Sequence, residues 1–105
     1  MDKAQVLELV RRFAEKARQA LDVRQVILFG SHARGCASAH SDIDVAVVIG
    51  VPPDDWLDAS AQLFKLRRDI SLAIEPVLVD PAADRSGFFE EICKTGEFVY
   101  DREAA

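Results

Sequence analysis

The chain is poor in the residues that staple, anchor or neutralise a protein. It has only two cysteines, Cys36 and Cys93, among 105 residues. That is too few for a disulfide framework and fits a reducing, cytoplasmic setting. No apolar run approaches the ~20 residues needed to cross a bilayer, and the first residues lack the basic-then-apolar layout of a secretory leader. A soluble, cytoplasmic protein with no membrane role is therefore expected. There is no basic excess either. The formal net charge is −5, whereas a general nucleic-acid binder needs a basic surface to displace counterions from phosphates. The basic residues pair only as Arg11-Arg12 and as Lys65 with Arg67-Arg68, and each pair reads as the solvated side of a helix. Repeats, low-complexity tracts and linkers are also missing, so residues 1–105 read as a single domain. A small molecule or another protein remains as the partner.

What is present alternates in period. Asp2 can cap a helix whose apolar positions run Val6, Leu9, Val10, Phe13, Ala17, Ala20 and Leu21. The run 25–29, QVILF, stops at Gly30 and reads as a buried strand, and 43–49, IDVAVVI, as a second. Pro52-Pro53 break the chain, and Asp54 or Asp55 can cap a second long helix over about 56–71. The run 73–79, AIEPVLV, is a third strand, and Pro76 inside it predicts a sheet edge or a bulge. Ser86 can cap a last helix carrying Phe88, Phe89 and Ile92. Gly96 follows where a left-handed residue would close that helix, and 98–100, FVY, reads as a short final strand. Helices alternating with strands over one sheet make an α/β (α+β) domain, a small mixed β-sheet flanked by helices.

One feature does not serve folding. Asp42 and Asp44 stand two apart at the head of the second strand, so they project to one side while Ile43, Val45 and Val47 turn to the other. Two ionised carboxylates about 4 Å apart repel by about 4 kcal/mol at an effective dielectric near 20. A hard dication between them removes that cost, and oxygen ligands with open water positions suit magnesium. Alone, such a pair is often no more than a turn residue followed by an exposed one. Ten residues earlier, Gly30-Ser31 follows a strand. There a glycine lets the backbone approach a phosphate, and the following N–H groups and the Ser hydroxyl can hold its oxygens. Glu75 then interrupts the apolar third strand, either as a solvated edge charge or as a third carboxylate turned to the same site.

Gly30-Ser31, ten residues, then Asp42-Ile43-Asp44 resembles the signature of the polymerase-β-like nucleotidyltransferase superfamily. The wider stretches LFGSHARG and SDIDVAVV are similar to the minimal nucleotidyltransferases, and the likeness runs through the closing FFEEICKTGEFVY. The resemblance implies that Gly30 and Ser31 grip the triphosphate of an NTP, ATP by preference. Arg34 and Gly35 match the family's loop, and Ser41 precedes the first aspartate as it does there, so Arg34 and Ser41 join the nucleotide-binding set. Asp42 and Asp44 would hold Mg2+, two ions in the family pattern. Glu75 would stand as the third carboxylate, a catalytic group and metal ligand. The implied reaction passes a nucleoside monophosphate to a hydroxyl, and the implied partner is a HEPN-domain toxin, adenylylated on tyrosine, with this chain as antitoxin. Where the family often has Asp, this chain has Glu75 followed by Pro76. The longer side chain and the stiff backbone favour a rival reading, a weak or inactive module that neutralises or scaffolds a HEPN partner by contact.

Other features read more plainly. His32, Cys36 and His40 recur at helical spacing, but Gly35 interrupts the run and a structural zinc wants four ligands. Cys93 reads as a core residue and Trp56 as a helix-start anchor or an interface residue. An aminoglycoside nucleotidyltransferase needs more chain than 105 residues. A small domain with this apolar content is expected to expose a patch, and hence to form a homodimer or gain stability from a partner.

Overall fold

The structure is a computed structural model describing residues 1–104; Ala105, the last residue of the expected domain, lies outside the described residues. Eight elements in chain order are α1 (Lys3–Ala20), β1 (Val23–Phe29), α2 (Ser31–Arg34), β2 (Ile43–Ile49), α3 (Trp56–Leu66), β3 (Ile74–Val79), α4 (Phe88–Thr95) and β4 (Glu97–Asp101), with a 3-10 turn at Arg67–Asp69 after α3. The strands form one mixed sheet in the order β3-β2-β1-β4. β1 runs antiparallel to β2 and β4, and β2 runs parallel to β3. No described helix is long and apolar enough to cross a membrane.

Helix α1 starts where its sequence says. The Asp2 carboxylate accepts from the Gln5 N–H at 2.8 Å, and the Gln5 side chain accepts from the Asp2 N–H at 2.9 Å, a reciprocal capping box. Val6, Val10, Phe13, Ala14 and Ala17 then bury one stripe. That stripe, with Ala59 and Leu63 of α3, packs on Val26, Leu28, Ile43, Val45, Val47 and Ile74. The other sheet face carries Ile27, Ala46, Val48 and Val79 under Ile92 of α4. β2 is therefore buried on both sides, the reason its sequence is almost continuously apolar.

The second and third strands fall where their patterns place them, and β3 lies at the sheet edge, as Pro76 requires. Four local expectations are corrected. The helix expected over 56–71 ends at Leu66 and tightens into the 3-10 turn, because Arg67 turns back to donate to the carbonyls of Leu72 and Ile74. Of the two candidate caps it is Asp55 that accepts from the Asp58 N–H, at 3.0 Å. α4 is capped by Asp84 rather than by Ser86 alone. The Asp84 carboxylate takes the Phe89 N–H at 2.6 Å together with the Ser86 N–H and hydroxyl, and these bonds hold its carboxyl below the ordinary value. Gly96 is not left-handed: its φ is −86°. It is glycine for space, since a Cβ there would meet Ile27 Cγ2 and the Ile92 carbonyl at 2.6 Å. The Lys65, Arg67, Arg68 group is likewise not a uniform solvated face, since Arg67 is half-buried.

Gly96→Ala should thus destabilise the fold by about 1–3 kcal/mol, the usual cost of overpacking. A urea midpoint equal to that of the parent chain would contradict the close approach.

Candidate active site

The site forms where β1 and β2 meet at one end of the sheet. In register, Asp44 lies opposite Phe29 of β1 on one side and Glu75 of β3 on the other. Its neighbours on the same face are Ala46 and Val48, the α4 side of the sheet. Asp42 is exposed and sits just before the strand. Asp44 is half-buried. Burial is the main cause that pushes its carboxyl above the ordinary value; the negative charges of Asp42 and Glu75 push the same way, while His32 and Arg34 oppose them. The two aspartates thus sense each other, as their spacing predicts.

Gly30 is shaped around Asp44. Its φ is +75° and ψ −152°, a region for glycine alone. A Cβ on Gly30 would fall inside contact distance of the Asp44 carboxylate. The chain then makes one helical turn, α2, which the polar sequence hid. It ends at Gly35 in the left-handed conformation, with the Cys36 N–H donating to the Ser31 carbonyl at 3.0 Å. Ser31 is half-buried at the start of that turn and Arg34 is exposed at its end, close enough for its charge to act on Asp44. Ser41 is engaged in the loop: its hydroxyl accepts from the Ser38 N–H at 2.9 Å, and its carbonyl lies 3.4 Å from His32 Nε2. Cys36 and His40 are exposed beyond the end of α2, so the His32, Cys36, His40 spacing is not carried by one helix.

Glu75 faces the same side as Asp44 but its carboxylate leans elsewhere, to 3.6 Å from Arg67 Nη1. Nothing local marks Arg67, whose basic neighbours read as solvated charge; only its spacing three residues after Phe64, over whose ring it stacks at 4.8 Å, hints at a held side chain. Among the described residues no three His, Cys, Asp or Glu side chains converge to hold a metal ion. The donor set fits a hard dication in chemistry, being carboxylate oxygens under mutual repulsion, but only as an incomplete shell that other oxygens must close. Two clefts share Phe88, and neither is lined by the three carboxylates. One of about 260 Å³ is lined by Phe29, Gly30, Arg34, Phe88 and Glu91. The other, of about 270 Å³, lies on the β3 side among Trp56, Val77, Val79, Asp80, Asp84 and Phe88. Phe88 packs edge-on against Phe29, with centroids 5.3 Å apart, between them.

The family profile "Polymerase beta, Nucleotidyltransferase" matches residues 11–105. The chain belongs to the polymerase beta nucleotidyltransferase family. Among curated proteins it is 34% identical over 91 residues to a Methanocaldococcus jannaschii protein named as a proposed protein adenylyltransferase, covering 77% of this chain and 59% of that one. The chain thus spans little more than half the length of that relative. Among solved structures, a proposed nucleotidyltransferase from Sulfolobus solfataricus superposes with TM-score 0.71 at 22% identity, over 98% of this chain and 86% of that one. A toxin–antitoxin complex with AMP-PNP gives 0.64 at 22% identity, over 98% and 76%. The complex of tri-AMPylated Shewanella oneidensis HEPN toxin with MNT antitoxin gives 0.62 at 22% identity, over 92% and 74%. At these identities the structures establish a shared nucleotidyltransferase fold, a mixed sheet flanked by helices.

The half-buried Asp44 carboxylate carries a measurable cost. A carboxyl whose folded-state value is raised binds its proton more tightly when folded. The penalty is therefore absent below the unfolded value and grows as pH rises through the folded one. Asp44→Asn should stabilise the nucleotidyltransferase at neutral pH, by less than about 1 kcal/mol given solvent screening, and the gain should vanish in acid. Thermal melts at pH 7 and at pH 3 check this; an Asn variant that melts lower at pH 7 would contradict it.

Proposed function

We propose that the protein transfers AMP from ATP to a hydroxyl on a protein partner, with Asp42, Asp44 and Glu75 as the catalytic carboxylates. The observation that carries this reading is the register: Asp44 directly opposite Glu75 across β2 and β3, with Gly30 folded against Asp44. Main-chain pairing brings Asp44 and Glu75 to one end of the sheet, which supports this reading. Gly30 and Ser31 hold the triphosphate and Arg34 lends positive charge to it. Ser41 acts by shaping the loop that presents Asp42. Asp42 and Asp44 would hold Mg2+, one or two ions whose remaining positions are filled by phosphate oxygens and water. Magnesium, when bound, supplies charge neutralisation at the phosphates and a lower pKa for the attacking hydroxyl.

In the transfer itself the acceptor oxygen forms a bond to the α-phosphorus. The bond from that phosphorus to the oxygen bridging the β-phosphate breaks in line, and pyrophosphate leaves with the bonding pair. Glu75 takes the hydroxyl proton. One fold neighbour supports a HEPN partner, since that protein is in complex with a tri-AMPylated HEPN toxin. Trp56, Leu57, Phe64, Leu72 and Val77 are exposed apolar residues suited to meeting such a partner or a second copy of this chain. A cytoplasmic setting, where ATP and magnesium are plentiful, suits this chemistry.

A second reading has its own observation. Because Glu75 sits on Arg67, the third carboxylate is not poised at the aspartates, which favours a module that neutralises its partner by contact. Incubation of a HEPN partner with the protein, ATP and magnesium separates the two. Transfer predicts a partner heavier by one or more AMP units by intact mass, no reaction with Asp42→Ala or Asp44→Ala, and a rate lowered ~10²–10⁴-fold with Glu75→Gln while ATP binding persists. An unmodified partner, neutralised equally by the parent chain and by Asp44→Ala, would establish the contact reading instead.

A further inference from the structure

The α4 side of β3 is not fully covered. Glu75, Val77 and Val79 lie in register with Asp44, Ala46 and Val48, so they share that face. Ile92 of α4 seals Ala46, Val48 and Val79, but Val77 stays 39% exposed. Beside it the cleft of about 270 Å³ opens between Trp56, at the start of α3, and Phe88, at the start of α4. Trp56 is 41% exposed. The cleft is smaller than the ~300–1,000 Å³ of ordinary small-molecule pockets; it has room for one bulky side chain, the anchor of a protein interface. The strand edge next to it is a poor template for an added strand, since Arg67 occupies the Ile74 carbonyl and Pro76 has no N–H. What this edge offers is a seat for a side chain.

The rim of that seat is acidic. Asp80 and Asp84 line the cleft, and Asp54, Asp55 and Asp58 stand around Trp56 in the chain. Ion pairs neutralise acids elsewhere, yet among the described residues none engages these five. Arg85 is exposed in the loop after Asp84 and does not line the cleft. An apolar seat inside an unneutralised acidic rim selects its occupant. Nucleic acid and anionic membrane are repelled. A second copy docked by two-fold symmetry would set rim against rim. We propose that this groove docks a protein partner through a segment that inserts one bulky apolar side chain between Trp56 and Val77, flanked by Lys or Arg. Val77 lies two residues, about 6.6 Å, along the strand from Glu75, so a partner gripped here is held close to the acidic end of the sheet. The grip needs neither magnesium nor transfer. It goes beyond both functional readings by naming the surface and the chemistry of the segment that fits it.

Trp56 is the only tryptophan in the chain, so labelling with 5-fluorotryptophan gives a single fluorine resonance that reports on the groove. The probes are three short capped peptides without hydroxyls, added in the absence of metal and nucleotide. One carries a central Phe-Leu pair between Lys and Arg residues; in the second Glu replaces every basic residue; in the third Gln replaces the apolar pair. Only the first should shift the resonance saturably. Val77→Lys, at a half-exposed site, should fold as the parent does and weaken that peptide at least about tenfold, as loss of an anchor contact does. Asp54→Asn/Asp80→Asn, which keeps an acceptor for the Ala82 N–H, should weaken it about three- to tenfold and flatten its salt dependence. Equal binding of the Glu-flanked peptide, or no saturable shift with the basic one, would overturn the proposal. So would parent-like binding by a folded Val77→Lys, or a resonance that moves with protein concentration alone, the mark of a second copy in the groove. Should Val77→Lys melt below assay temperature, the three peptides on the parent chain decide. Each of these failures leaves the transfer reading standing, because the peptides carry no acceptor and no ATP is present.

Discussion

A half-buried carboxylate on a strand whose other side chains are apolar is the constraint around which this chain is arranged. Asp44 raises the energy of the fold it sits in, since burial and the charges of Asp42 and Glu75 all disfavour its ionised form. What tolerates it is the strand beneath. Ile43, Val45 and Val47 bury into the α1 and α3 side, Ala46 and Val48 into the α4 side, and these fix β2 too firmly for one charge at its end to shift. The core supports the site by immobilising it.

From that strand the rest is laid out by register. β1 delivers Phe29 and then Gly30, whose backbone conformation exists to clear the Asp44 oxygens. β3, parallel and at the edge, delivers Glu75 on the opposite flank. Edge position also explains Pro76: a central strand would lose a ladder hydrogen bond there, while an edge strand bonded on one side need not. Pro76 sits in regular pairing opposite Val45, and it is the side-chain tie to Arg67 that turns Glu75 away from the aspartates.

Much of this was legible in the sequence because it is written in period and spacing. The strand over 43–49 is marked by its apolar run and falls where expected; the cap at Asp2 and the edge placement of β3 follow from Asp2 and Pro76. Asp44 and Glu75, which the register sets side by side, stand out in the sequence as charges in apolar runs. What escaped depends on contacts between distant segments. The α2 turn begins in glycine and polar residues that carry no hydrophobic period. Gly96 was expected to be left-handed, but its role is steric and involves Ile27, far away in sequence. Arg67 looked like one charge in a basic patch, because nothing local says that its guanidinium will meet the carbonyls of the next strand.

A structure grown with AMP-PNP and Mn2+ tests the central claim, that the aspartate pair beside Gly30 is a metal–nucleotide site. Anomalous scattering would locate the manganese. The account predicts a peak about 2–2.5 Å from oxygens of both Asp42 and Asp44, with phosphates against Gly30 and Ser31. Nucleotide lodged elsewhere, with no anomalous peak between the two aspartates, would contradict it.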